Sequence, residues 1–229
     1  MRPSSKRLSL VFDLDGTIVN SMPMVLASFT YAIEVFQKVP SQMEILERLG
    51  GPADICLRNL LEDERNLPEA MERLLDYNKK NHHQVVPFEG AVEMLDRLLK
   101  NRTEVALWTG RDRETTEEIL SVHELWKYFQ MVVCGDDFKS HKPDPEGLTH
   151  ILEELSLQNS DVLFVGDSDV DVLAGHACQV PTMLIRHNRS VSAQIRDLSR
   201  EWVETPQQAY EIISAKVSTE RLGTDYVGF

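Results

Sequence analysis

Cysteine is scarce in this chain. Cys56, Cys134 and Cys178 are the only three, odd in number and scattered. They fit no metal-binding spacing and no disulfide framework, which points to a reducing cytoplasm and to three small core residues. Long apolar runs are missing too. None approaches the roughly 20 residues of a membrane span. The run after the basic start, Met1 to Arg7, is too brief for a signal-peptide core. Positive charge is in short supply: 24 Lys and Arg face 37 Asp and Glu, for a net charge of −13. That balance argues against nucleic acid and against an anionic membrane as partners. It also means that an anionic ligand would need a local cationic trap. Internal repeats and low-complexity segments are absent.

What is present is enough for one large domain, or a core plus a smaller domain: 229 residues, 42% of them hydrophobic. The chain begins with an apolar run from Leu8 to Phe12 that ends abruptly in Asp13. This predicts a buried strand that delivers a carboxylate to the sheet edge. Asp15 follows, then Gly16, which lets the backbone turn, and Thr17. Two carboxylates so close repel each other unless a cation lies between them or their protonation states differ. A carboxylate beside a divalent metal can act as a nucleophile.

Residues 21–37 carry Met22, Val25, Leu26, Phe29, Ile33 and Phe36 on one helical face, with Ser21 as a cap. Ser41 to Glu44 reads as a capping box for a short helix that ends near Gly50-Gly51. A third helix is expected over Ala53 to Asp63. Pro68 opens a fourth, with Met71, Leu74 and Leu75 inward, which fades into Lys79 to His83. No strand signal occurs between Ile18 and Gln84, so this block is expected to be an all-helical insertion.

From Val85 onward strands and helices alternate. Strands are predicted at Val105 to Trp108, Met131 to Cys134, Val162 to Val165 and Thr182 to Ile185. Helices are predicted at Ala91 to Lys100, from Asp112 to Val122, after the Asp144 cap, from Asp169 to Cys178, and from Gln207 to Lys216. A weakly ordered tail is expected after Ser218. Alternation of this kind means a parallel sheet with helices on both faces, which binds ligands outside the carboxyl ends of its strands. Asp13, Thr109 and Asp167 all fall at such ends.

Thr109-Gly110-Arg111 offers a hydroxyl and amides for a phosphate oxygen, though an ordinary strand-to-helix turn reads similarly. Arg111 is as readily a surface residue. Lys142, in His141-Lys142-Pro143-Asp144-Pro145, puts an ammonium where it would offset phosphate and nucleophile charge; His141 reads as structural. Asp167, Asp169 and Asp171 crowd one helix start. Oxygen-only donors suit Mg²⁺ over zinc, while dipole preference alone would also place acids there, above all Asp169.

The set Asp13-Leu14-Asp15-Gly16-Thr17, Thr109, Lys142-Pro143, and Gly166-Asp167-Ser168 with Asp171 resembles the four motifs of the haloacid dehalogenase superfamily. Lys142 to Gly175 is most similar to phosphoglycolate phosphatases and their relatives. The resemblance implies a Rossmann-like catalytic core over 1–18 and 85–229 and a helical cap over 19–84. It implies Asp13 as nucleophile and Asp15 as general acid and base, with Thr109 and Lys142 on the phosphoryl group. It also implies Leu14 and Gly110, beside Thr109 and Lys142, as substrate-binding residues. Mg²⁺ would be held by the Asp13 side chain, the Asp15 carbonyl and Asp167, with Asp171 helping through water. The implied activity is Mg²⁺-dependent hydrolysis of a small phosphorylated metabolite, such as phosphoglycolate, a sugar phosphate or pyrophosphate, by a cytoplasmic monomer or homodimer.

A phosphomutase of the same fold is the first rival, and a non-catalytic phosphate-binding regulator the second; none of the key residues is lost, as a regulator would lose them. Asp15 speaks against a dehalogenase, which needs no second aspartate, and against a phosphonate hydrolase, which wants a small residue there. In the cap, Gly50-Gly51-Pro52 resembles a substrate loop. Arg58, Lys79, Lys80, His82 and His83 read as a solvated face.

Overall fold

The computed structural model describes residues 8–49 and 53–224. The chain divides into two compact units, Asn20–Val86 and the remainder.

In the larger unit six parallel strands form one sheet. They are β1 (Ser9–Phe12), β4 (Val105–Trp108), β5 (Met131–Val133), β6 (Val162–Gly166), β7 (Thr182–Ile185) and β8 (Glu201–Val203), and their order across the sheet is β5-β4-β1-β6-β7-β8. β1 therefore lies between β4 and β6, with Leu10 opposite both Val105 and Leu163. This order explains why Asp13, Thr109 and Asp167 converge. Each follows the last residues of three strands that are immediate neighbours, and all three strands run the same way. β1, β4 and β6 are buried on both faces, as continuous apolar runs require. Helices α5 (Ala91–Lys100), α6 (Arg113–Val122), α7 (Glu146–Glu154), α8 (Asp169–Ala177), α9 (Ala193–Leu198) and α10 (Pro206–Thr224) complete the unit. One core cluster gathers Val11, Trp108, Phe164, Leu148 and Ile151, so β1, β4, β6 and α7 share a single apolar interior.

The smaller unit is helical: α1 (Met22–Ile33), α2 (Gln42–Leu46), α3 (Ala53–Leu60) and α4 (Leu67–Asn81). Its own core joins Phe29, Ile33, Ile45, Leu57, Leu60 and Leu74. The Ser41–Glu44 capping box is formed.

Several boundaries differ from the sequence reading. Two short strands, β2 (Val19–Asn20) and β3 (Val86–Pro87), form a two-stranded sheet where the chain passes between the units; two residues are too few to leave a periodic signal. Ser21 makes no side-chain cap bond, and α1 stops at Ile33, short of Phe36. Leu75 is exposed, not inward. Pro145, not Asp144, is the residue before α7, although the Asp144 carboxylate still accepts from the Glu146 amide at 3.0 Å. The reading missed α9 and β8. α10 continues to Thr224, past the expected tail boundary at Ser218; residues 225–229 lie outside the described residues, as does Gly50-Gly51-Pro52. All three cysteines are buried and unbridged. Among the described residues, no helix is long and apolar enough to cross a membrane.

The loop after β4 is tied to the loop after β5 by one side chain. Arg113 donates to both Asp137 carboxylate oxygens, at 2.9 and 2.5 Å, and to the Val132 carbonyl. Burial acts to raise the Asp137 pKa, but Arg113 and the Cys134 amide outweigh it and hold the carboxyl below its usual range. The folded value thus lies below the unfolded one. The stabilisation is complete above about pH 4 and is lost as pH falls through the folded value. Asp137→Asn is expected to cost about 1–2 kcal/mol at neutral pH, kept low because Arg113 is more than a third exposed. Urea denaturation of both proteins between neutral and strongly acid pH should show the difference closing. A difference independent of pH would contradict this assignment.

Candidate active site

Asp13 leaves β1 with its amide bonded to the Val165 carbonyl of β6 at 2.8 Å. Its carboxylate is buried, and one oxygen accepts from the Lys142 ammonium at 2.7 Å. Lys142 also donates to Asp171 Oδ1 at 2.8 Å and to the Trp108 carbonyl at 2.7 Å. An ammonium has three hydrogens, and all three are used. The nitrogen also lies 4.7 Å from the Trp108 ring centre and 5.2 Å from that of Phe164, within cation–π range. Gly147 on α7 makes room for the indole: a Cβ there would lie 2.4 Å from Trp108 Nε1. Lys142 is held by three strands' worth of structure, although it belongs to a loop.

Asp171 is buried, and its second oxygen serves the capping box of α8, accepting from the Ser168 amide and hydroxyl. Both its oxygens are therefore engaged within the protein. Asp167 differs. Its carboxylate sits against Gly16, whose φ is +73° and where a Cβ would fall 2.1 Å from Asp167 Oδ2. Only glycine suits that turn, on conformational and on steric grounds.

The electrostatics follow from burial. It pushes the Asp13 carboxyl up to about 7, against the pull of Lys142 and with the push of Asp171 and Asp15. Burial and then the charges of Asp13, Asp171 and Asp15 drive Asp167 well above the usual carboxylate range. For Lys142 burial acts to lower the pKa, but Asp13 and Asp171 outweigh it and the net shift is upward. One ammonium thus faces three carboxylates. Oxygens of Asp13, Asp167 and Asp171 lie within 4.8 Å of one another, so the cluster is short of positive charge and its donors are all hard oxygens. A small divalent cation fits that deficit.

Around this cluster stand groups suited to an anion. The backbone amides of Leu14 and Gly110 have no hydrogen-bond partner among the described residues. Thr109 is buried, and its hydroxyl accepts from the Arg111 amide at 3.1 Å, which leaves the hydroxyl hydrogen to donate. Thr17 Oγ1 is buried without a partner among the described residues.

Three residues gain a place the sequence reading did not give them. Arg111 is mostly buried, not a surface residue, and grips Asp15 with Nε at 3.0 Å and Nη2 at 2.5 Å. His187, after β7, shares a hydrogen bond of 2.7 Å with the Gly16 carbonyl and stacks on Phe88. Arg189 donates to the Asp167 carbonyl at 2.9 Å and pairs with Asp169 at 2.7 Å. The available signal was position alone: His187 and Arg189 follow an apolar strand at the same sheet edge. Among the described residues the His141 side chain makes no such contact. Arg58 pairs with Glu64 and Lys80 with Asp76 on exposed surface.

Comparison with known proteins bears on the family and the fold. A family model described as haloacid dehalogenase-like hydrolase matches residues 10–185. The chain is 30% identical over 198 residues to a phosphoglycolate phosphatase of Pseudomonas fluorescens, covering 81% of this chain and 73% of the relative. It is 26% identical over 197 residues to pyrophosphatase PpaX of Halalkalibacterium halodurans, covering 85% and 91%. A haloacid dehalogenase-like family hydrolase structure from Streptococcus pneumoniae superposes with a TM-score of 0.78 at 19% identity, covering 91% and 99%.

Lys142→Met keeps much of the side-chain volume but leaves Asp13 and Asp171 buried without their cation. It is expected to lower stability by about 3–5 kcal/mol at neutral pH. Urea denaturation measures this directly. A loss below about 1 kcal/mol would mean that the cluster does not depend on the ammonium.

Proposed function

The chain belongs to the haloacid dehalogenase-like hydrolase family, and on that footing we propose that it hydrolyses a small phosphorylated metabolite through an aspartyl-phosphate on Asp13, with Mg²⁺ as its resident ion. The observation that carries this reading is the buried Asp13 carboxylate. One of its oxygens is fixed by Lys142, and it shares a cation-deficient cluster with Asp167. Relatives named as phosphoglycolate phosphatase and as pyrophosphatase support the substrate class, a phosphate on a small, itself anionic, leaving group.

The carboxylate of Asp13, the carbonyl of Asp15 and the carboxylate of Asp167 would hold the ion, with Asp171 reaching it through water because its own oxygens are engaged. When bound, Mg²⁺ supplies positive charge against the phosphoryl oxygens and lowers their repulsion of the nucleophile. Asp13 attacks phosphorus and the bond to the leaving oxygen breaks. Asp15 gives that oxygen a proton. In the second half Asp15 takes a proton from a water that attacks the same phosphorus; phosphate leaves and the Asp13 carboxylate is restored. The amides of Leu14 and Gly110 and the Thr109 hydroxyl hold the phosphoryl group during both halves, while Lys142, kept on Asp13, offsets its charge. Positioning and charge neutralisation are most of what phosphoryl transfer requires. We assign residues 19–84 as the cap and residues 1–18 and 85–229 as the catalytic core.

A panel of phosphoglycolate, sugar phosphates and pyrophosphate, assayed for phosphate release, tests the reading. Release is expected with Mg²⁺, absent in excess chelator, and restored less well by Ca²⁺, whose longer bonds and higher coordination would misplace the oxygens. Asp13→Asn should fall to the background rate while melting like the parent. Full turnover in chelator, or by the Asn variant, would contradict the mechanism.

A further inference from the structure

The Arg111–Asp15 pair poses a problem that the proposed chemistry must solve. Arg111 holds both Asp15 oxygens, through Nε and Nη2. Each oxygen keeps a second lone pair, but an oxygen that carries the proton for a leaving group is a much weaker partner for the guanidinium. For Asp15 to act, the pair must open. Arg111 is mostly buried, with 13% of its side chain exposed, so it cannot turn to water for a replacement. A buried guanidinium left without an acceptor is costly, by several kcal/mol. Its freed hydrogens therefore need a new anion at the moment Asp15 departs.

The cluster does not offer one. Asp171 has both oxygens engaged, the Asp13 oxygen not held by Lys142 is the proposed nucleophile, and Asp167 is assigned to the ion. Lys142 in turn has no hydrogen left for a further ligand anion while its three bonds last. Arg111 is the cation next to this cluster whose outer nitrogen, Nη1, makes no hydrogen bond among the described residues. In a chain of net charge −13, that is where an incoming anion would be drawn.

We propose that Arg111 is an exchange residue: it holds Asp15 in the resting protein and passes to a second anionic group on the substrate's leaving portion, which frees Asp15 for its proton-transfer role. The inference rests on the phosphatase reading and narrows it. The preferred substrates carry a carboxylate or a second phosphate beside the scissile bond, and a planar two-pronged donor matches either group. A substrate without that group still reacts, but must leave Arg111 unmatched when Asp15 moves.

The test compares phosphoglycolate and pyrophosphate with p-nitrophenyl phosphate, which lacks a second anion, across the parent, Arg111→Gln and Arg111→Lys. For Arg111→Gln, KM on the two substrates with a second anionic group is expected to rise about tenfold or more, and on p-nitrophenyl phosphate by about threefold or less. Arg111→Lys should recover part of the KM but not all, since it keeps charge and loses the fork. Equal losses on all three substrates, with an unchanged urea midpoint, would make Arg111 a general support and overturn the exchange. No loss on any substrate would overturn it as well. A parent protein that releases phosphate from none of the three, nor from the wider metabolite panel, would sink the phosphatase reading itself and this inference with it. An active parent with no substrate split sinks the inference alone.

Discussion

A single ammonium group, that of Lys142, is bonded at once to Asp13, Asp171 and the Trp108 carbonyl, and the site is built outward from it. Burying one ion in a protein costs several kcal/mol after relaxation, and burying two carboxylates beside each other costs more. That cost is offset only if the ammonium stays where both can reach it. The rest of the arrangement follows. β4 must end at Trp108 to present its carbonyl. Gly147 must lack a side chain so that the indole can lie beneath the nitrogen. Ser168 must cap α8 so that Asp171 keeps one oxygen turned toward Lys142. A stability requirement and a chemical one coincide, because the same ammonium that makes the cluster tolerable also fixes one oxygen of Asp13.

The sheet order supplies the second constraint. β1 sits between β4 and β6, so the turns that follow these strands meet at one place. The turn after β7 braces them: His187 on Gly16, and Arg189 on the carbonyl of Asp167. A side chain at position 16 would collide with the Asp167 carboxylate, so the two turns meet there. The molecule is acidic overall, yet Lys142, Arg111 and Arg189 all lie at this edge, each already paired with a carboxylate. Positive charge is stored there in ion pairs, and a ligand gains access to it by exchange.

Much of this was legible in the sequence, for definite reasons. Asp13, Thr109 and Asp167 each interrupt an apolar run, so both the strands and the residues that end them were visible in local pattern. Lys142 was marked by the prolines around it. What escaped depends on partners distant in the chain. Arg111 and Asp15 are 96 residues apart, and His187 and Gly16 are 171 apart; no spacing rule connects them. A guanidinium three residues past a strand reads as surface until its carboxylate is found. β8 escaped because it is a three-residue edge strand that exposes Trp202, so it has no continuous apolar run, and α9 because six residues with one buried side chain carry almost no periodicity. α10 ran past its expected end because its later turns are polar and lack a stop signal before Gly223.

The central claim is that Asp13 bonds to phosphorus during turnover. The direct measurement is to quench the protein with borohydride during steady phosphate release and to sequence the peptide that spans residues 8–20 by mass spectrometry. An acyl-phosphate is reduced to an alcohol, whereas a free carboxylate is not. Homoserine at position 13, with Asp15 unaltered, is the expected result. An unmodified Asp13 in a protein that was turning over, or reduction at another aspartate, would contradict the account.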